Sequence, residues 1–170
     1  MIVLDPTLKI NEVDMPYKAF IEQFKEHILR YIIQDKGWTI TKAMNYLSSK
    51  FNYDPYVHSV MQRIVHENEC YIIINRNPTI TFGSILKMKI RDVKKDSSDY
   101  SLAIPSAILP GLNADFDGDE LNTIALEMEE FWELFDGFSP TNMIINRTTG
   151  NIRYDISSLE NISIAILSDR

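Results

Sequence analysis

Apolar residues recur at helical spacing early in the chain and at strand spacing in its middle. Phe20, Ile21, Phe24, Ile28 and Ile32 share one face of a helix that runs to about Ile33, with Asp14 as its cap and Pro16 in its first turn. Gly37 stops that helix. Thr39 caps a second, with Ile40, Ala43, Met44 and Leu47 on one face, and Asp54-Pro55 starts a third, with Val57, Val60, Met61 and Ile64 inward. Residues 14–67 therefore read as a helical insertion, preceded by a short strand, Ile2-Val3-Leu4. Past them the period changes. Tyr71 to Ile74 is a buried-strand run broken by Asn75-Arg76-Asn77-Pro78, and Ser84 to Val93 alternates Leu86, Met88 and Ile90 against Lys87, Lys89 and Arg91. Ser97-Ser98-Asp99 turns the chain, and Leu102 to Ile104 and Leu121 to Leu126 are further strands, so that 68–126 holds most of the sheet. The segment 127–170 reads as an acidic helix from Glu127 to Phe135 (apolar face Met128, Phe131, Trp132 and Phe135), a strand pair through Met143-Ile144-Ile145 and Ile152-Arg153-Tyr154, and a closing helix from Ser158 to Leu167. Short strands around a helical block predict an α+β fold: a small β-barrel with a helical insertion, one module over 1–170.

Composition narrows the function classes. The 170 residues are 45% hydrophobic, ample for one core. A single cysteine, Cys70, excludes an internal disulfide and a cysteine-based zinc site. The net charge of −7 has the wrong sign for a self-sufficient nucleic-acid binder. The basic cluster Lys87, Lys89, Arg91, Lys94 and Lys95 has two readings, a solvated strand and loop or a contact to a nucleic-acid backbone. No apolar run approaches the ~20 residues that span a bilayer, so no membrane role and a cytoplasmic location are expected.

The candidate chemistry lies in Asn113-Ala114-Asp115-Phe116-Asp117-Gly118-Asp119. Three aspartates at alternate positions point the same way in an extended or tightly turned backbone. Their mutual repulsion calls for a cation, yet no Lys or Arg occurs from Asp96 to Asn146. A hard divalent ion suits such a site, and Mg2+ suits few carboxylates completed by water and phosphate. A solvated turn is the plainer alternative. An EF-hand calcium loop is excluded: counted from Asp115, its sixth position is Glu120 instead of Gly, and its twelfth is Leu126 instead of Glu.

That seven-residue stretch resembles, letter for letter, the active-site motif of the largest (β′-like) subunit of multisubunit DNA-dependent RNA polymerases. Asn75-Arg76-Asn77-Pro78-Thr79-Ile80 resembles the family's Asn-Arg-x-Pro-Thr-Leu segment. Ile2 to Lys9 with Met15-Pro16, and Phe138-Ser139-Pro140-Thr141-Asn142, are similar to segments that flank the same module. The resemblance implies a double-psi β-barrel in which Asp115, Asp117 and Asp119 are catalytic metal ligands for Mg2+. It further implies a substrate-binding role for Arg76, Asn113 and Pro78, with Arg76 and Asn113 on the ribose hydroxyls of an incoming NTP. Plainer roles stay open: Arg76 as a surface charge or a counter-ion for the aspartates, and Asn113 as a turn residue with an unusual backbone angle. Ala114 and Phe116 should pack, and Gly118 should permit the sharp turn.

By the same resemblance the chain is the catalytic-centre part of a DNA-directed RNA polymerase, a nucleotidyltransferase inactive without partners. Those are a β-like second-largest subunit, other fragments of the largest subunit, the DNA template, the RNA product and NTPs. Ile80-Thr81 departs from the family's Leu-His, and no bridge helix, trigger loop or second barrel is recognisable. A split subunit, as in some large phages, or an excised piece is expected, in a phage or viral case within the host cell cytoplasm. A non-catalytic metal-binding or assembly subunit retaining the barrel is the alternative. The related RNA-templated polymerases keep both barrels in one chain and need greater length.

Overall fold

A computed structural model describes residues 1–143 apart from 51, 80, 81 and 127. The strand pair and closing helix expected after Met143 lie outside the described residues, as do Ile80, Thr81 and Glu127. The described chain is a mixed α+β structure: a curled six-stranded sheet with four helices between its second and third strands.

The strands are β1 (Ile2–Leu4), β2 (Glu12–Met15), β3 (Tyr71–Asn75), β4 (Ile85–Val93), β5 (Leu102–Ile104) and β6 (Asn122–Leu126), in the sheet order β1-β5-β2-β4-β3-β6. β1 and β5 run parallel, as do β2 and β4, and β3 pairs antiparallel with both β4 and β6. The register of β2 on β4 slips between Val13 and Asp14, a bulge that bends the sheet. Although β1 and β6 stand at opposite ends of the order, the Ile2 N–H donates to the Asp119 carbonyl at 3.0 Å, three residues before β6 begins. The sheet curls far enough to bring those ends together, an arrangement compatible with a barrel.

Four helices, α1 (Tyr17–Gln23), α2 (Lys25–Lys36), α3 (Ile40–Ser48) and α4 (Pro55–Glu67), cover one side. Thr39 caps α3 through the Lys42 N–H, and Asp54 caps α4 by accepting from the Tyr56 and Val57 N–H groups at 3.0 Å each. Tyr17, Phe20, Phe24, Ile28, Ile32, Met61 and Ile64 meet Val13, Met15, Ile72, Ile74, Leu86 and Met88 in one core. His58 Nε2 reaches the Val93 carbonyl at 2.9 Å, and Gln62 Nε2 donates to Asp92, fastening α4 to the end of β4.

Four expectations are corrected. Asp14 is no helix cap: it lies in β2, buried, with its carboxylate on Arg91, and the residue preceding α1 is Pro16, which makes no side-chain cap. The first helix is two helices, because Phe24 leaves helical geometry at φ −111, ψ 26. On α3 only Ala43 and Leu47 are buried, while Ile40 and Met44 are exposed. The acidic helix appears as α6 (Glu129–Leu134), but Met128, Phe131 and Leu134 face solvent among the described residues. No helix there is long and apolar enough to cross a membrane.

Candidate functional site

After β5 the chain makes a 3-10 turn, Ser106–Ile108, and one helical turn, α5 (Leu109–Leu112). Pro110 suits the first turn of α5, where its missing N–H costs nothing. Asn113 then closes α5 in the left-handed region at φ 50, ψ 46. Its plainer role as a turn residue is therefore real, and it does not exclude a second, because Asn113 also lines the pocket described below.

The loop that follows alternates. Ala114 and Phe116 pack against the core, and Asp115 and Asp117 are exposed between and beyond them. Gly118 takes φ 117, a conformation that side chains other than hydrogen rarely adopt, and this sharp turn brings Asp119 back beside Asp115. The Asp115 N–H donates to Asp119 Oδ2 at 3.0 Å, and Asp115 Oδ1 accepts from the Phe116 N–H at 2.7 Å.

The cation missing from the local sequence arrives from β3. Arg76, one residue past that strand, donates through Nε to Asp119 Oδ2 at 3.0 Å and through Nη2 to Asp119 Oδ1 at 3.3 Å, a two-pronged ion pair. The Arg76 hydrogen bond, with the Asp115 N–H adding to it, holds the Asp119 carboxyl below the usual carboxylate range. Among the described residues neither Asp115 nor Asp117 forms an ion pair.

Arg76, Leu109, Pro110, Asn113, Ala114, Asp115, Asp117 and Asp119 line one open pocket of about 410 Å³. Five of the six residues singled out in the sequence thus meet there. Pro78 does not: it is exposed, outside the pocket lining, in a loop braced by Asn75 Nδ2 on Asn77 Oδ1 and Thr79 Oγ1 on Asn75 Oδ1. Leu109 and Pro110 escaped notice because Pro-Gly at 110–111 argues against a helix. Among the described residues no three His, Cys, Asp or Glu side chains converge closely enough to hold a metal ion. The donors nonetheless fit a hard divalent cation in kind. Three carboxylates share one open pocket, and only Asp119 has a cationic partner, which engages both of its oxygens.

The basic cluster is committed elsewhere. Lys87, buried, donates to the Trp132 carbonyl at 2.6 Å and pairs with Asp136 at 3.3 Å; Lys89 pairs with Glu69 at 2.7 Å and Lys94 with Asp99 at 2.9 Å. Arg91 is held by Asp5 and Asp14. Four of the five cations are thus spoken for within the fold, which favours the structural reading.

The sequence pattern of the family described as RNA polymerase Rpb1, domain 2, matches residues 40–130. The chain is 30% identical over 156 residues to the DNA-directed RNA polymerase subunit beta′ of Tetradesmus obliquus, a match covering 88% of this chain and 9% of that protein. It is 29% identical over 152 residues to the subunit beta′ of Bigelowiella natans, covering 86% of this chain and 18% of the relative. Against the subunit gamma of Nostoc commune it is 26% identical over 151 residues, covering 88% of this chain and 23% of that protein. The chain thus spans less than a quarter of the length of each of these relatives.

Proposed function

The chain belongs to the family RNA polymerase Rpb1, domain 2, of polymerase largest subunits, and from that premise we propose that it forms the catalytic-centre part of a DNA-directed RNA polymerase. The observation that carries this reading is the shared pocket: Asp115, Asp117 and Asp119 from one loop, with Arg76 and Asn113 beside them. Asp115, Asp117 and Asp119 would hold Mg2+ through their carboxylate oxygens. When bound, that ion lowers the pKa of an attacking 3′-hydroxyl and offsets charge on the triphosphate. Arg76 supplies donors, and the Asn113 amide a donor and an acceptor, for the hydroxyls of an incoming ribose. Ala114 and Phe116 anchor the loop against the core, and Gly118 makes its turn. Pro78 contributes as part of the arm that carries Arg76.

The pocket holds one arginine, whereas a triphosphate and three carboxylates carry far more negative charge. The remaining cations come from partners, so the chain is inactive alone. Those partners are a β-like second-largest subunit and other parts of the largest subunit, with DNA template, RNA and NTPs bound in the cytoplasmic complex. The fold is a double-psi β-barrel in a single module, 14–67 its helical insertion, 68–126 its barrel strands and 127–170 its closing segment.

The test is to retrieve the tagged chain from cells that express it naturally and assay the eluate for Mg2+-dependent, template-directed RNA synthesis beside an Asp117→Ala version. Synthesis that travels with large partner chains and falls at least about a hundredfold in Asp117→Ala is expected. Equal synthesis in both versions would overturn the reading. The Arg76–Asp119 pair favours one second reading, a non-catalytic metal-binding or assembly subunit. That reading predicts a partner complex whose synthesis ignores Asp117.

A further inference from the structure

Among the described residues, the arm that carries Arg76 and the loop that carries the aspartates touch at two points. At the tip is the Arg76–Asp119 ion pair. At the base, the 3-10 turn Phe82–Ser84 lies backbone against backbone on α5. A Cβ placed on Gly83 would stand 2.7 Å from the Gly111 carbonyl oxygen and 3.1 Å from both its carbonyl carbon and its Cα. The obstacle is main chain, which cannot rotate aside as a side chain would. Gly83 is not among the glycines with positive φ, so space and not backbone freedom is what it provides here.

The two contacts belong to one frame. The Arg76 N–H donates to the Ser84 carbonyl at 3.1 Å, which ties the arm back to the turn. On the other side, Asn113 follows Gly111 by two residues, and its N–H and that of Ala114 fasten back onto α5 at the carbonyls of Pro110 and Leu109. A change of spacing at the base therefore reaches the pocket through a single capped helical turn.

We propose that Gly83 is a positioning residue: its missing side chain seats α5 against the 82–84 turn at the spacing that lets Arg76, Asn113 and the aspartate loop enclose one nucleoside triphosphate. This rests on reading the pocket as a nucleotidyl-transfer site. Gly83 touches no substrate. It sets the gap between the two walls that do.

The experiment compares Gly83→Ala with Gly137→Ala in the assembled, co-purified complex; a Cβ at Gly137 meets nothing within 4 Å. Two quantities are read, kcat/KM for NTPs and the ratio of kcat/KM for ribo- over 2′-deoxyribonucleoside triphosphates, which is independent of how much complex has assembled. Gly83→Ala should lower kcat/KM about tenfold or more, mainly through KM, and should reduce the ratio, with Gly137→Ala unchanged in both. Unchanged KM and ratio in Gly83→Ala, beside an inactive Asp117→Ala complex, would overturn the inference and leave the site standing. Full synthesis in Asp117→Ala would remove the site itself and the inference with it. Should Gly83→Ala fail to assemble, Ile108→Val removes one buried methyl at the residue that leads into α5, and Ile64→Val, equally buried on α4, is its control. The ratio must then move in Ile108→Val alone; an unmoved ratio overturns the positioning role.

Discussion

Two acidic groups in this chain each gather around an arginine from a distant part of the sequence, and they end differently. Arg91, on β4, donates to Asp14 through Nε at 2.9 Å and through Nη2, to Asp5 through Nη2 at 2.8 Å, and to Thr7 through Nη1 at 2.7 Å. Asp14 is only 8% exposed. Two carboxylates and one guanidinium form a nearly closed network that joins β1's end, β2 and β4. At the other group, Arg76 serves Asp119 alone, while Asp115 and Asp117 face an open pocket. The first arrangement spends its charge on holding strands together; the second leaves negative charge exposed where a ligand can reach it. An unsatisfied cluster on a rigid scaffold marks the candidate site, and a satisfied one marks the frame.

The contrast can be sharpened by substitution. Arg91→Ala leaves Asp14 buried without its partner and should destabilise the chain by about 2–3 kcal/mol, read as a lower urea midpoint. An unchanged midpoint would mean that the network is not structural. Asp54→Ala, which removes the α4 cap, should cost about 1 kcal/mol by the same measurement. Acid should weaken the frame in a defined window. Burial alone would raise the Asp5 and Asp54 carboxyls, but hydrogen bonds from Thr7 and Arg91, and from Lys50 and the α4 N–H groups, hold both below the usual 3.8. Their folded pKa is depressed, so their contribution is full above pH 3.8 and is lost as pH falls through the folded values. The urea midpoint should therefore stay level from neutral pH down to about 5 and fall below about 4, and Asp54→Ala should flatten part of that fall. The smallest stability change is expected for Arg76→Ala, whose partner Asp119 is half-buried at the rim of an open pocket: the midpoint should barely move while KM for NTPs in the assembled complex rises. A large loss of stability would class Arg76 with the frame.

The periods of β3 and β4, the caps at Thr39 and Asp54 and the stop at Gly37 were legible because each depends on neighbours in the sequence. Asp14 was misread for the opposite reason. An Asp two residues before a Pro looks like a cap, and only Arg91, 77 residues away, explains its place in β2. The break at Phe24 was invisible because Phe20, Phe24 and Ile28 keep one buried face across it. At the pocket the aspartate motif stood out in the letters. That Arg76 would meet Asp119 across 43 residues, and that Gly83 would sit against Gly111, depends on the curl of the sheet, which no local pattern encodes.

The most direct measurement pairs Asp117→Asn with Asp14→Asn, recording the urea midpoint of the chain and Mg2+-dependent RNA synthesis per assembled complex. The predicted result is a crossing: Asp117→Asn keeps its midpoint and loses synthesis, and Asp14→Asn loses midpoint and keeps synthesis. Two variants that fall alike in both quantities, or an Asp117→Asn complex that synthesises normally, would contradict the division of this chain into a satisfied frame and the exposed loop proposed to be catalytic.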